Sequence, residues 1–174
     1  MSFFATERQL EDYIFDRFKE RKVLDVNGDQ FENVYRQLNI KGVGIPDLIF
    51  TSRGCSEALV KPCIYVVELK NKPIEDKDAA QLSRYTSYFE RHLDNVDVMG
   101  LLVGPSIKSK DISFFSPVVS GCMEIYVFNR VGDKVEFEYF MPEQAFNDSA
   151  AEALDVFSEI KTDIGERPKL KIVK

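Results

Sequence analysis

Apolar positions along the chain follow two periods, and the switches between them mark out the elements. From Thr6 to Glu20, Leu10, Ile14 and Phe18 fall four apart with Tyr13 and Phe15 beside them, the spacing of a helix with one face on a core. Thr6 suits the N-cap, and Gln9 three residues later completes a capping box. Asn27-Gly28-Asp29 signals a turn. Phe31 to Ile40 then alternates, with Phe31, Asn33 and Tyr35 on one parity and Val34, Arg36 and Leu38 on the other. This predicts a strand, broken by Lys41-Gly42-Val43-Gly44. Ile45 to Thr51 predicts a second strand, and Ser52-Arg53-Gly54 opens a polar loop that runs to Pro62.

Cys63 to Leu69 is apolar on both parities, as a central strand covered on two faces must be. Asn71-Lys72-Pro73 ends it. Glu75 to His92 returns to the helical period, with Ala79, Leu82, Tyr85, Thr86 and Phe89 on one stripe. Val96 to Val103 predicts a further strand, closed by Gly104-Pro105. Glu124 to Asn129 and Val135 to Phe140 flank Val131-Gly132-Asp133-Lys134, the pattern of a β-hairpin with a Gly-Asp turn. Ser149 to Lys161 is helical in pattern, and Arg167 to Lys174 is a basic tail. The order α-β-β-β-α-β, then a β-hairpin and a C-terminal helix, predicts an α/β fold with a mixed central β-sheet flanked by helices. With no linker or repeat, 1–174 reads as a single domain, with a core over about 6–104 and a C-terminal extension over 105–174.

Composition narrows the chemistry. The 174 residues carry 23 basic and 29 acidic side chains, a net charge of −6, which counts mildly against gripping DNA by bulk electrostatics. A local basic groove can coexist with a negative total. His92 is the single histidine, so histidine-based catalysis has almost no material to work with. Beside Arg91 at a helix end, His92 reads as a cap or surface residue. Three cysteines, Cys55, Cys63 and Cys122, lack framework or zinc-knuckle spacing, so reduced thiols in a cytoplasmic setting are expected, with Cys63 in the core. No apolar run is long enough to cross a bilayer, and the first residues lack the pattern of a secretory signal.

Two predicted strands carry acids. Gly44-Ile45-Pro46-Asp47-Leu48-Ile49-Phe50 holds Asp47, and Ile64-Tyr65-Val66-Val67-Glu68-Leu69-Lys70 ends in Glu68 and Lys70, which share a strand face. Two carboxylates suffice for a magnesium ion that keeps several waters. Such an ion neutralises phosphate charge and lowers the pKa of water, and a nearby ammonium steadies the reacting centre. If the two strands are hairpin neighbours, the carboxylates approach each other, and burial beside Tyr65-Val66-Val67 raises the pKa of Glu68.

Taken singly, these residues are ordinary. A Pro-Asp pair is commonly a turn, Glu-x-Lys a solvated ion pair, Gln81 and Tyr85 one helix face, and Glu11 a surface acid. Their order is what carries weight. Pro46-Asp47, twenty intervening residues, then Glu68-Leu69-Lys70 closing an apolar strand, resembles the PD-(D/E)XK nuclease superfamily. Gln81-Leu82-Ser83-Arg84-Tyr85 resembles the Gln-x-x-x-Tyr motif of RecB-type nucleases, and the N-terminal helix offers Glu11, with Glu7 one turn earlier, where the family places a metal-associated acid. Tyr35-Arg36-Gln37 before Gly44-Ile45-Pro46-Asp47, with Met99-Gly100-Leu101-Leu102-Val103-Gly104 after the helix, is most similar to NucS-type endonucleases. The resemblance spans roughly residues 6 to 104 and implies a restriction-endonuclease-like core.

It further implies a DNA endonuclease in a repair, restriction or phage-defence context, with Mg²⁺ or Mn²⁺ as cofactor. Asp47 and Glu68 would ligate the cation with the carbonyl of Leu69, and Glu11 would act through water or a second ion. Lys70 would orient the attacking water, and Gln81 and Tyr85 would position the site from the helix. Gln37, Arg36, Lys72 and Arg84 would contact DNA, Gln37 alternatively the cation's water. The resemblance also allows a homodimer. Two other readings stay open: an inactive nuclease-fold module that binds DNA, and a subunit that binds a protein partner through Phe114-Phe115 and the tail. Phe114-Phe115 with Tyr126 and Phe128 read as core or dimer seam before a base-stacking surface. Lys108 to Lys110, Lys169, Lys171 and Lys174 read as solvated before phosphate contacts.

Overall fold

Polar groups at the helix ends set where each helix begins. Gln9 donates its backbone N–H to Thr6 Oγ1 (3.2 Å), while Gln9 Oε1 accepts from the N–H of Ala5 (2.8 Å), one residue before the expected partner. Helix α1 accordingly runs Glu7–Lys19. Helix α2, Asp76–His92, starts where the Glu75 N–H donates to Asp78 Oδ2 (2.8 Å). Acids in its first turn and Arg91 and His92 in its last complement the helix dipole. His92 is exposed, stacks on Tyr88 and sits 2.7 Å from the Tyr88 carbonyl through Nδ1.

The computed structural model describes residues 4–19, 31–52, 61–108, 122–132 and 134–140. The chain divides into two compact units, Met1–Phe140 and Met141–Lys174, and every described residue belongs to the first. The strands are β1 (Asn33–Arg36), β2 (Leu48–Ser52), β3 (Cys63–Leu69), β4 (Asp97–Gly104), β5 (Met123–Val131) and β6 (Lys134–Phe140). They form one six-stranded sheet in sequence order. β3–β4 and β4–β5 pair parallel and the other neighbours antiparallel, so the fold is α/β with a mixed sheet.

Strand alternation divides the core in two. Val67, Leu69, Leu101 and Val103 pack with Leu10 and Ile14 of α1, whereas Val66 and Leu102 pack with Ala79, Leu82 and Tyr85 of α2. The helices thus cover opposite faces. A Cβ at Gly100 would lie 3.0 Å from Leu82 Cδ2, so the bare glycine on β4 lets α2 sit close to the sheet.

Three expectations change. The first strand stops at Arg36 rather than Ile40, because Gln37 takes φ +50 and turns the chain. The second begins at Leu48 rather than Ile45, after Gly44 at φ +145 and Pro46, which has no N–H for a ladder. Cys63 is half-buried rather than core, its sulfur 3.1 Å from Ser52 Oγ, and Cys122 is exposed. Tyr126 and Phe128 are core residues, the first of the readings their pattern offers. Val131 and Lys134 do pair across the expected hairpin turn, with Gly132 at φ +63. The Phe18 side chain, Asn27-Gly28-Asp29, Cys55, Ser109, Lys110, Phe114-Phe115, the 149–161 helix and the basic tail lie outside the described residues. No described helix is long and apolar enough to cross a membrane.

Leu82 is fully buried at the junction of α2 and β4. Replacing it with alanine should lower the unfolding free energy by about 2–5 kcal/mol, checked by urea denaturation.

Candidate active site

The register of two antiparallel strands brings the acids together. Leu48 pairs with Val67, so the next step places Asp47 beside Glu68 at the end of the sheet where β2 begins and β3 ends. Asp47 is held by two donors: the Leu69 N–H on Oδ2 (2.8 Å) and Gln37 Nε2 on Oδ1 (3.3 Å). Glu68 accepts from Lys70 Nζ at Oε1 (2.6 Å). Its other oxygen, Oε2, is buried and has no hydrogen-bond partner among the described residues.

The electrostatics match this crowding. Glu68 is 3% exposed, and burial followed by the charge of Asp47 pushes its pKa up to about 7, although Lys70 pulls the other way. Burial also raises Asp47, opposed by the Leu69 N–H and Lys70 and reinforced by Glu7 and Glu11. Burial alone would lower Lys70, but the hydrogen bond and charge of Glu68 outweigh it and carry the net shift upward. Lys70 is therefore a firmly charged ammonium.

The surrounding elements set the other residues. Glu11, 3% exposed on α1, accepts from Arg36 Nε at Oε1 (2.6 Å) and from Gln37 Nε2 at Oε2 (3.0 Å). Both of its oxygens are thus engaged inside the protein. Glu7, one turn earlier, is exposed, and its charge acts on Asp47, Glu68 and Lys70 alike. Of Glu7 and Glu11, Glu7 is the one with an open side chain and influence over the whole cluster. Arg36 bonds to Glu11 and to Asp12 (2.5 Å), holds the Asp12 carboxyl below its usual range, and lies 4.7 Å from the Phe15 ring centroid. Lys72 and Arg84 face solvent.

On α2, Gln81 Nε2 donates to the Tyr85 hydroxyl (3.1 Å), joining the two motif residues. A Cβ at Gly44 would lie 2.8 Å from that hydroxyl, so glycine there lets the segment leading to Asp47 rest on Tyr85. Sequence reading does not single out Asp78, a buried acid whose charge reaches Lys70. Its signal is the helix start, Glu75 followed three residues later by an acid.

Two features bear on whether a divalent cation fits. Among the described residues, no three His, Cys, Asp or Glu side chains converge closely enough to hold a metal on their own. Against that, a buried carboxylate oxygen without a partner beside a second raised carboxylate is a hard, anionic pair of the kind magnesium takes, with water completing its shell. Two carboxylates and water fit magnesium; a dedicated cage of side chains is not what this site offers.

Two solved structures resemble the chain. A repair endonuclease from Pyrococcus abyssi is 22% identical with a TM-score of 0.48, over 72% of this chain and 47% of that one. An EndoMS–dsDNA2 complex is 25% identical with a TM-score of 0.41, over 63% of this chain and 39% of that one. The chain therefore spans less than half the length of either. No model of a known protein family matches it, and neither does any curated protein.

The Glu68 shift has a pH signature. Its folded pKa, near 7, lies above the ordinary 4.5, so the native state holds the extra proton between those values. That contribution to stability is complete below about pH 4.5 and is lost as pH rises through about 7, amounting to at most about 3 kcal/mol. In chelator, the native protein should lose stability relative to Glu68→Gln between pH 5 and pH 8, measured by urea unfolding of both.

Proposed function

We propose that this chain is a divalent-cation-dependent DNA endonuclease that hydrolyses phosphodiester bonds. The observation that carries the reading is the placement of Asp47 and Glu68 side by side across β2 and β3, with Glu68 Oε2 buried and unpartnered among the described residues and Lys70 attached to the same carboxylate. A buried acid whose charge is opposed by a half-buried one opposes folding unless something positive is shared between them.

Asp47 and Glu68 would hold Mg²⁺ or Mn²⁺, with the carbonyl of Leu69 a third donor and Glu7 acting through water. When bound, the cation supplies positive charge against the phosphate oxygens and a lowered pKa for water. Lys70 works as a donor rather than a base. Its raised pKa keeps it protonated, so its N–H groups orient the incoming water and stabilise the negative charge that builds on phosphorus-bound oxygen. Gln81 and Tyr85 fix the segment ahead of Asp47 from the side of α2. Lys72 and Arg84, both exposed, are available for phosphates of the DNA backbone, whereas Arg36 and Gln37 are engaged with acids. Hydrolysis by in-line water attack leaves a 5′-phosphate.

The test is cleavage of plasmid, single-stranded and branched DNA with Mn²⁺ or with chelator. Glu68→Gln and Lys70→Ala should each reduce the rate about a hundredfold or more while far-ultraviolet circular dichroism stays native. Binding without cutting in the native protein would overturn the enzymatic reading in favour of a DNA-binding module.

A further inference from the structure

Gln37 is bound to Asp47 twice. Its backbone N–H donates to the Asp47 carbonyl (3.1 Å), and its side-chain Nε2 lies 3.3 Å from Asp47 Oδ1 and 3.0 Å from Glu11 Oε2. One NH₂ group therefore bridges two acids from different elements, and both of its N–H bonds have a carboxylate to serve. The far end of the bridge is anchored, because Glu11 is buried and clamped by Arg36 Nε at 2.6 Å. Gln37 also occupies φ +50, a region that favours glycine. A bare turn is made more easily by glycine; glutamine at this position adds an amide aimed at the site.

We propose that Gln37 is a positioning residue for Asp47. The inference rests on the nuclease reading above and deepens it. The Gln37 amide ties Asp47 Oδ1 to helix α1 while the Leu69 N–H ties Oδ2 to β3. Pinned at both oxygens, Asp47 cannot swing away from Glu68 to relieve their repulsion. Each carboxylate oxygen keeps a second lone pair for a cation. Groups that orient metal-binding side chains in this way commonly set metal affinity as strongly as the ligands' own surroundings. The same bridge makes α1 part of the site through Glu11, whose Oε2 holds the other end of the amide.

The experiment measures Mn²⁺ uptake by the full chain, by electron paramagnetic resonance of the free ion, for the native protein, Gln37→Leu and Gln37→Gly. Glycine relaxes the backbone at φ +50 but removes the amide. It should keep Tm within a few degrees while weakening Mn²⁺ binding about tenfold or more, and leucine should weaken it similarly. Native Mn²⁺ affinity in Gln37→Gly overturns the proposal. If the native chain takes up no Mn²⁺, the nuclease reading fails, and the positioning role is decided by the ¹⁵N spectrum. The Gln37 side-chain amide resonances should move in both Glu11→Gln and Asp47→Asn. Resonances that move in neither variant overturn the role.

Discussion

Asp47 and Glu68 repel each other, yet the β2–β3 ladder holds them side by side because five cross-strand pairs, Leu48 to Ser52 against Val67 to Cys63, leave no alternative register. Slipping β2 by one residue would swing Leu48 and Phe50 off the α1 face and bring Ile49 and the half-buried Thr51 in their place. Hydrophobic burial in the sheet thus enforces an electrostatically unfavourable contact at its end. The raised pKa of Glu68 and the direct bond to Lys70 are local responses to that contact, and so is the double tether on Asp47.

The layered architecture delivers the remaining groups. α1 covers the face lined by Val67 and Leu69 and brings Glu7 and Glu11 to the same end of the sheet. α2 covers the other face, where Leu82 and Tyr85 pack and Gln81 bonds to Tyr85. Because α2 follows β3 directly, Lys70 and the first turn of α2 are neighbours, which is why Asp78 influences Lys70. The site is therefore assembled from a strand end, a turn and two helices, each placed by apolar packing that has no chemical role of its own.

Elements with a strong period were legible in the residues alone. β3 runs over Cys63–Leu69 as its two-sided apolar pattern predicts, and α2 differs from expectation by one residue at its start. The segment 31–47 was less legible, because a positive φ at a glutamine has no compositional sign: Gln37 reads as one more polar strand position. The same blindness affects side-chain partners. Arg36 and Gln37 have the residue types of DNA contacts, but their partners, Glu11 and Asp12, lie far off in sequence, with separations of 24 to 26. Glu7 and Glu11 are equivalent on a helical wheel, and only the packing of α1 distinguishes the acid locked inside from the acid left open to solvent.

The connection between β2 and β3 leaves the sheet after Ser52 and returns at Cys63, the paired residues farthest along the ladder from Asp47 and Glu68. The cost of closing such a connection grows only slowly with its length, and it falls at the end of the ladder five pairs away from the acids. That far rung is accordingly where a fluorescent label would report on the ladder at a distance from its acids.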